Sequence, residues 1–245
     1  MKLSKRLGQL KSMVAADYQH IWDCCCDHGL LGASLLTKDR QHNTRATIHF
    51  VDIVPELMHT LSRKLNQFYP LEDYNWQTHC LDVTQLPLKD FQGKHLVIIA
   101  GVGGDLMMRF IDTIIKNHPN TDIDFLLCPV HHQFALRKLL RSYQFSLKQE
   151  SLIEENKRFY EILLVSNQSN KNAEISPTGK AIWQADSKQQ AVICQNYLEK
   201  TLAHYQRIEL GGNNLASEAI KVYKTQLFND QQGKPTPFKF HLKIK

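Results

Sequence analysis

His95-Leu96-Val97-Ile98-Ile99-Ala100-Gly101-Val102-Gly103-Gly104 is the stretch from which the fold can be read. Its apolar run is too short for a helix. It does not alternate with polar residues, so it predicts a strand buried on both faces, as in a parallel sheet. The glycines from Gly101 to Gly104 break that strand, and Leu106–Ile115 resumes helical spacing. Strand, glycine turn, helix is the unit of an α/β fold.

The same unit recurs on either side. Leu3, Leu7, Leu10 and Val14 predict a short amphipathic helix. His20–Cys26 then reads as a buried strand, Asp27-His28-Gly29 as a turn, and Leu30–Thr37 as a helix. Thr47–Ile53 predicts a second strand, and Pro55 suits the first turn of the helix running to about Phe68. Asn75–Val83 predicts a third strand, Asp124–Pro129 a fifth, and a helix follows from about Gln133 to Arg141. This alternation predicts a mostly parallel sheet with helices on both faces. Phe145–Ile153 and Phe159–Ser166 depart from it. Two strand-like runs so close together form a hairpin, hence an antiparallel end. S-adenosylmethionine (SAM)-dependent methyltransferases of the Rossmann-like class I end this way, and plain dinucleotide-binding dehydrogenases do not.

Asn167–Pro177 is polar and reads as a linker, so residues 1–168 and 169–245 are expected to be separate domains. Ala191, Cys194, Leu198, Leu202, Tyr205 and Ile208 form one helical stripe, and Leu215, Ala219, Val222 and Leu227 a second. Gly211-Gly212-Asn213-Asn214 turns between them, predicting a short, coiled-coil-like α-helical hairpin. The tail Phe238–Lys245 alternates apolar and polar residues like a strand.

A chain that is 42% hydrophobic and 22% charged is an ordinary globular one. No apolar run approaches bilayer length, and Met1–Leu7 has basic residues without the apolar core of a secretion signal. No membrane association and a cytoplasmic location are expected. The six cysteines are not spaced as a disulfide framework. Residues 1–168 hold 19 Lys and Arg against 18 Asp and Glu, whereas residues 169–245 hold 11 against 6. The positive excess thus lies in the C-terminal third, which suits a polyanion such as RNA, or simply solubility.

In an open parallel sheet, ligands bind beyond the carboxyl ends of the strands. The first strand ends at Asp23-Cys24-Cys25-Cys26-Asp27-His28-Gly29, the second at Asp52-Ile53, the third at Asp82-Val83 and the fourth at Ala100-Gly101-Val102. An acid ending the second strand can accept from a ribose diol, and one ending the third from an adenine amino group. A cofactor without pyrophosphate tolerates acids near the first turn. NAD would want G-x-G-x-x-G there, and only Gly29 is present. The expected cofactor is SAM, held by Asp23, Cys25, Gly29, Asp52, Ile53, Asp82, Val83, Ala100, Gly101 and Val102. Asp52 and Asp82 also suit helix caps, and Gly103-Gly104 a tight turn with no ligand near. No metal is expected: only Cys24 and Cys26 could share a strand face, perhaps with His28, and the spacing of a zinc site is absent.

These residues resemble the bacterial tRNA (adenine-22 N1)-methyltransferase family. The likeness rests on Leu3-Ser4-x-Arg6-Leu7, the Asp27-His28 pair, Asp52, Asp82, the Ile99-Ala100-Gly101-Val102-Gly103-Gly104 turn, Pro129 and Tyr160-Glu161-Ile162. It runs through roughly residues 3–166, and a helical C-terminal domain is a further family feature. The resemblance implies SAM as cofactor, tRNA as partner and methyl transfer to N1 of an adenine. Asp27 is then the expected charge-stabilising carboxylate, with His28 positioning the base or relaying its proton. Lys5, Arg6, Gly103, Gly104 and Pro129 are expected on the substrate side, and the basic hairpin would grip tRNA phosphates or serve as a dimerisation or stabilising arm. The chain has Cys25 where the family has glycine, and Val130 where it tends to have asparagine. Those departures keep open another RNA or small-molecule target, or a non-catalytic RNA-binding protein of this fold. Monomer and homodimer are equally open.

Overall fold

A computed structural model describes residues 3–14, 17–42, 46–170 and 173–229. The strand-like tail Phe238–Lys245 lies outside them. Seven strands form one sheet: β1 (His20–Cys24), β2 (Thr47–Asp52), β3 (Trp76–Cys80), β4 (His95–Ala100), β5 (Ile123–Cys128), β6 (Ser146–Glu155) and β7 (Arg158–Ser166), in the order β3-β2-β1-β4-β5-β7-β6. The first five are parallel, and β7 runs antiparallel to both β5 and β6. The order reverses between β1 and β4, which puts the switch point at the Asp23 and Gly101 turns.

One face of the sheet carries α1 (Lys5–Met13), α2 (Leu30–His42) and α3 (Pro55–Phe68) over a core that includes Ile21, Phe50, Leu61 and Ile98. The other carries α4 (Gly104–Asn117) and α5 (Gln133–Ser142) over Trp22, Val97, Ile111 and Leu136. Residues of β4 alternate between the two cores, which is why its sequence is apolar without a break.

Several predicted boundaries move. Strand β1 stops at Cys24 because Cys25 turns the chain at φ 54°. Cys24 and Cys26 therefore enter opposite cores and do not share a face. Strand β3 stops at Cys80 because Asp82 caps a short 3-10 turn, Val83–Gln85. The β6–β7 hairpin is tighter than its sequence suggests. Asn156 and Lys157, at φ 51° and 61°, make the two-residue turn that matches the twist of paired strands.

Helices α6 (Lys188–Glu209) and α7 (Asn214–Asn229) form the hairpin. Their stripe packs Leu198, Leu202, Tyr205, Ala219 and Tyr223 around Phe134 of α5. The polar run before them is tied down as well. Ile175, Thr178 and Ile182 are buried, and Arg137 reaches across to the Ser176 carbonyl at 3.1 Å.

Candidate active site

A cavity of about 310 Å³ opens at the carboxyl ends of β1 and β4, within the size range of small-molecule sites. Asp23, Cys25, Asp27, His28, Ala100 and Gly101 line it, with Arg6 and Leu7 of α1 closing one side. Arg6 was expected on the substrate side, and Leu30 and Leu31, read from the sequence only as part of a helix, line the wall too, with Cys24 and Cys26.

Asp23 is buried, and one carboxylate oxygen accepts the N–H of Gly32 at 2.8 Å in the first turn of α2. Burial pushes its carboxyl up to about 7 against that hydrogen bond, and the charge of Asp52 adds to the rise. Gly32 was missed in the sequence. A Cβ there would lie 2.4 Å from the ring of Phe50 and 3.0 Å from the Asp23 carboxylate, so only glycine lets α2 come this close. Gly29, at φ 66°, admits Leu61 in the same way.

Asp52 bridges two loops. Its Oδ2 accepts the N–H of Asp27 at 3.1 Å and its Oδ1 that of Val54 at 3.1 Å. A carboxylate oxygen has a second lone pair, so both remain open to a further donor. Asp82 is the cap its alternative reading described: Oδ1 takes the N–H and the hydroxyl of Thr84 at 2.8 and 2.7 Å. Its Oδ2 lies 3.8 Å from Arg109, and the Thr84 contacts hold the carboxyl below its ordinary value. Burial, and then the charges of Asp52, Asp23 and Asp82, push the Cys25 thiol up to about 11. Cys25 is thus a neutral wall on which three acids converge. Gly101, at φ 87°, would bring a Cβ within 4 Å of nothing but the Arg6 guanidinium.

A sequence profile described as a methyltransferase domain matches residues 3–163. The chain belongs to the methyltransferase domain family.

Solved structures resemble this methyltransferase along nearly its whole length. M. capricolum TrmK in complex with S-adenosyl-homocysteine has a TM-score of 0.67 at 21% identity, covering 92% of this chain and 98% of that one. Streptococcus pneumoniae Sp1610 in complex with SAM has 0.64 at 19%, covering 91% and 99%. The B. subtilis m1A22 tRNA methyltransferase TrmK has 0.57 at 15%, covering 92% and 95%. At these identities the likeness speaks for the fold. No curated protein matches the chain.

The other predicted residues of the methyltransferase are spread around this centre. Asp27 and His28 are mostly exposed, with His28 Nε2 3.6 Å from Asp27 Oδ1. Ile53 is exposed, whereas the Val83 side chain is buried in the core, leaving only its backbone for a ligand. Val102 accepts the N–H of Val130 at 3.0 Å, which joins the β4 and β5 loops. Pro129 is buried at the base of that second loop. Lys5 faces away from the cavity: its backbone N–H meets Glu155, and it lines a separate depression with Gln9 and Ser187. Among the described residues, no group of three His, Cys, Asp or Glu is placed to hold a metal ion.

Proposed function

We propose that this methyltransferase takes its methyl group from SAM and delivers it to N1 of an adenine, position 22, in tRNA. The carrying observation is the meeting of Asp23, Asp27 and Gly101 on one cavity at the topological switch point, with Asp52 hydrogen-bonded to the Asp27 backbone. The likeness to TrmK structures supports the reading, since it extends over more than nine tenths of both chains and so includes the helical hairpin.

The residues fit the cofactor. SAM carries two cationic groups and no phosphate, and the cavity offers acids without a glycine-rich phosphate loop. Asp52 would hold the ribose diol with its free lone pairs, Asp82 the adenine amino group, and Asp23 the ammonium. A buried carboxyl at about 7 gains most from a cation. SAM supplies an activated methyl electrophile, which leaves alignment as the protein's task, worth up to ~7–11 kcal/mol. Asp27 stands where it can stabilise positive charge on the methylated base, with His28 beside it.

Adenine N1 is normally paired or stacked, so the base must be drawn from a loop or extruded at roughly a few kcal/mol. Lys188, Lys221 and Lys224 lie exposed on the hairpin and would hold the tRNA body by its phosphates. No helix among the described residues is long and apolar enough to cross a membrane. We place the enzyme in the cytoplasm with its substrate.

The test is incubation with SAM and unmodified tRNA, followed by nucleoside mass spectrometry and primer extension. The expected product is 1-methyladenosine, with a stop at position 22. Methylation of another atom or position replaces the target, and SAM binding without transfer to any RNA removes it.

A further inference from the structure

His131 and His132 follow Pro129 and Val130 at the end of β5, the strand beside β4. Their loop interlocks with the glycine turn. A Cβ on Gly103 would lie 2.6 Å from Cε1 of His131, and one on Gly104 would lie 2.5 Å from the His131 carbonyl oxygen. The Gly-Gly pair therefore makes room for the His-His pair, two residues past the cavity wall at Gly101.

The two histidines differ in role. His132 is held in the left-handed region at φ 63°, uncommon for a bulky residue, and its Nδ1 lies 2.8 Å from Asp105 Oδ1 at the start of α4. That contact fixes the loop. His131 is exposed, and its ring packs 4.3 Å from the ring of His132. Among the described residues it has no hydrogen bond or ion pair. From α6, His204 and Arg207, both exposed, come within electrostatic reach, since the charges of Arg207, His132 and His131 all act on His204. Beyond the Gly101 wall of the cavity, the β5 loop thus carries an exposed aromatic ring set against the Gly103 turn, and Arg207 of α6 acts on the same His204 as that ring does. Stacking surface plus cation is what a single-stranded nucleotide recognises.

We propose that His131 binds the nucleotide flanking the methylated base, stacking on its base while Arg207 holds its phosphate. This rests on RNA being the substrate, and it assigns to the β5 loop a binding role that Val130 does not supply.

The test measures tRNA binding by fluorescence anisotropy for the wild type and for His131→Ala, His131→Phe and Arg207→Gln, with SAM titration and methyl transfer on each. His131→Ala should weaken tRNA binding about tenfold, as loss of one stacked base does, with SAM affinity unchanged. His131→Phe should restore most of the loss, because it keeps a ring. Arg207→Gln should weaken binding and flatten its salt dependence. Wild-type affinity in His131→Ala, or a loss that His131→Phe does not repair, overturns the proposal. A chain that binds tRNA through His131 yet transfers no methyl group leaves this inference standing and removes the proposed reaction. Methyl transfer with full affinity in His131→Ala does the reverse.

Discussion

The carboxylate of Asp52 accepts the backbone N–H of Asp27 at 3.1 Å, so the residue that ends β2 fixes the turn that follows β1. Asp27 needs this support because it sits at φ 50°, a strained region for a residue with a side chain. Asp52→Ala should therefore lose the proposed ribose acceptor and loosen the turn together. We expect SAM affinity to fall more than tenfold, or more than about 1.4 kcal/mol, with turnover falling further. Calorimetric titration and single-turnover methylation separate the two effects, and unchanged affinity would take Asp52 out of the cofactor site.

Asp27→Ala should behave in the opposite way. The side chain is mostly exposed, and its one ionic neighbour among the described residues is His28 at 3.6 Å. Its loss should leave SAM affinity near that of the wild type while turnover drops about 10²-fold or more, the scale of one electrostatic contact made in the transition state. Equal losses of affinity and turnover would make Asp27 a structural residue of the turn.

If Asp23 holds the ammonium group of SAM as proposed, cofactor binding should depend on pH. Burial raises its carboxyl to about 7, so near neutrality the side chain is partly protonated, and a bound ammonium group should displace that proton. SAM affinity should rise from pH 6 to 8 and binding should release protons, seen as a buffer-dependent calorimetric enthalpy. Asp23→Asn should bind more weakly and lose that dependence. A flat profile in the wild type would leave Asp23 without a cationic partner.

Arg137 clamps the C-terminal helices to the sheet. It is fully buried, 2.8 Å from both Glu150 and Glu161. Glu161 also accepts the Tyr197 hydroxyl of α6, and Glu150 accepts the N–H groups of Lys180 and Ala181 at 2.6 and 2.7 Å. Arg137→Met leaves two buried acids without their cation and should destabilise the fold by about 3–5 kcal/mol in urea unfolding. Deleting residues 169–245 would open the same network, so it should unfold the sheet as well as weaken any RNA contact. A truncated chain as stable as the full one would refute this clamp.

The parallel sheet was legible because its central strands are apolar on both faces, and the site because acids stand at strand ends. What escaped the sequence depends on tertiary approach. Gly32 looks like any helical glycine until Phe50 and Asp23 close on it. The polar run around Pro177 reads as a linker because Ile175 and Ile182 are buried singly, without a period. His131 needs the Gly103 backbone beneath its ring to become a platform.

Four histidines at the far end of the sheet were equally silent, and they should contribute to the protein's response to acid. His20 Nε2 lies 3.1 Å from the Gln92 carbonyl, which can only accept, so that nitrogen carries the proton. His20 Nδ1 must then accept from His49 Nε2 at 3.1 Å, and His49 Nδ1 from His79 Nε2 at 2.9 Å. His95 likewise accepts from Trp22 at 3.2 Å and donates to the Phe91 carbonyl at 3.1 Å. With every ring neutral, each of these contacts has one donor and one acceptor. A second proton on His95 would set donor against donor at the Trp22 indole N–H, and His49 lies buried under the stacked Trp22 ring, 3.8 Å away. Burial, with the neighbouring histidines adding, lowers His49 to about 2 and His95 to about 4, and burial lowers His20 and His79 too. The unfolded chain takes up these protons below the ordinary value of 6.5 while the folded chain does not. Their contribution to stability is thus complete above pH 6.5 and declines as pH falls toward 4. Asp23 works the other way between its ordinary 3.8 and about 7, so Asp23→Asn gives the cleaner profile. Urea unfolding followed by tryptophan fluorescence should show that variant losing stability steadily from pH 7 to 5. His49→Phe, which keeps the stack but cannot take a proton, should flatten the slope. Equal stability at pH 7 and 5 in Asp23→Asn would mean that these rings admit protons in the folded state.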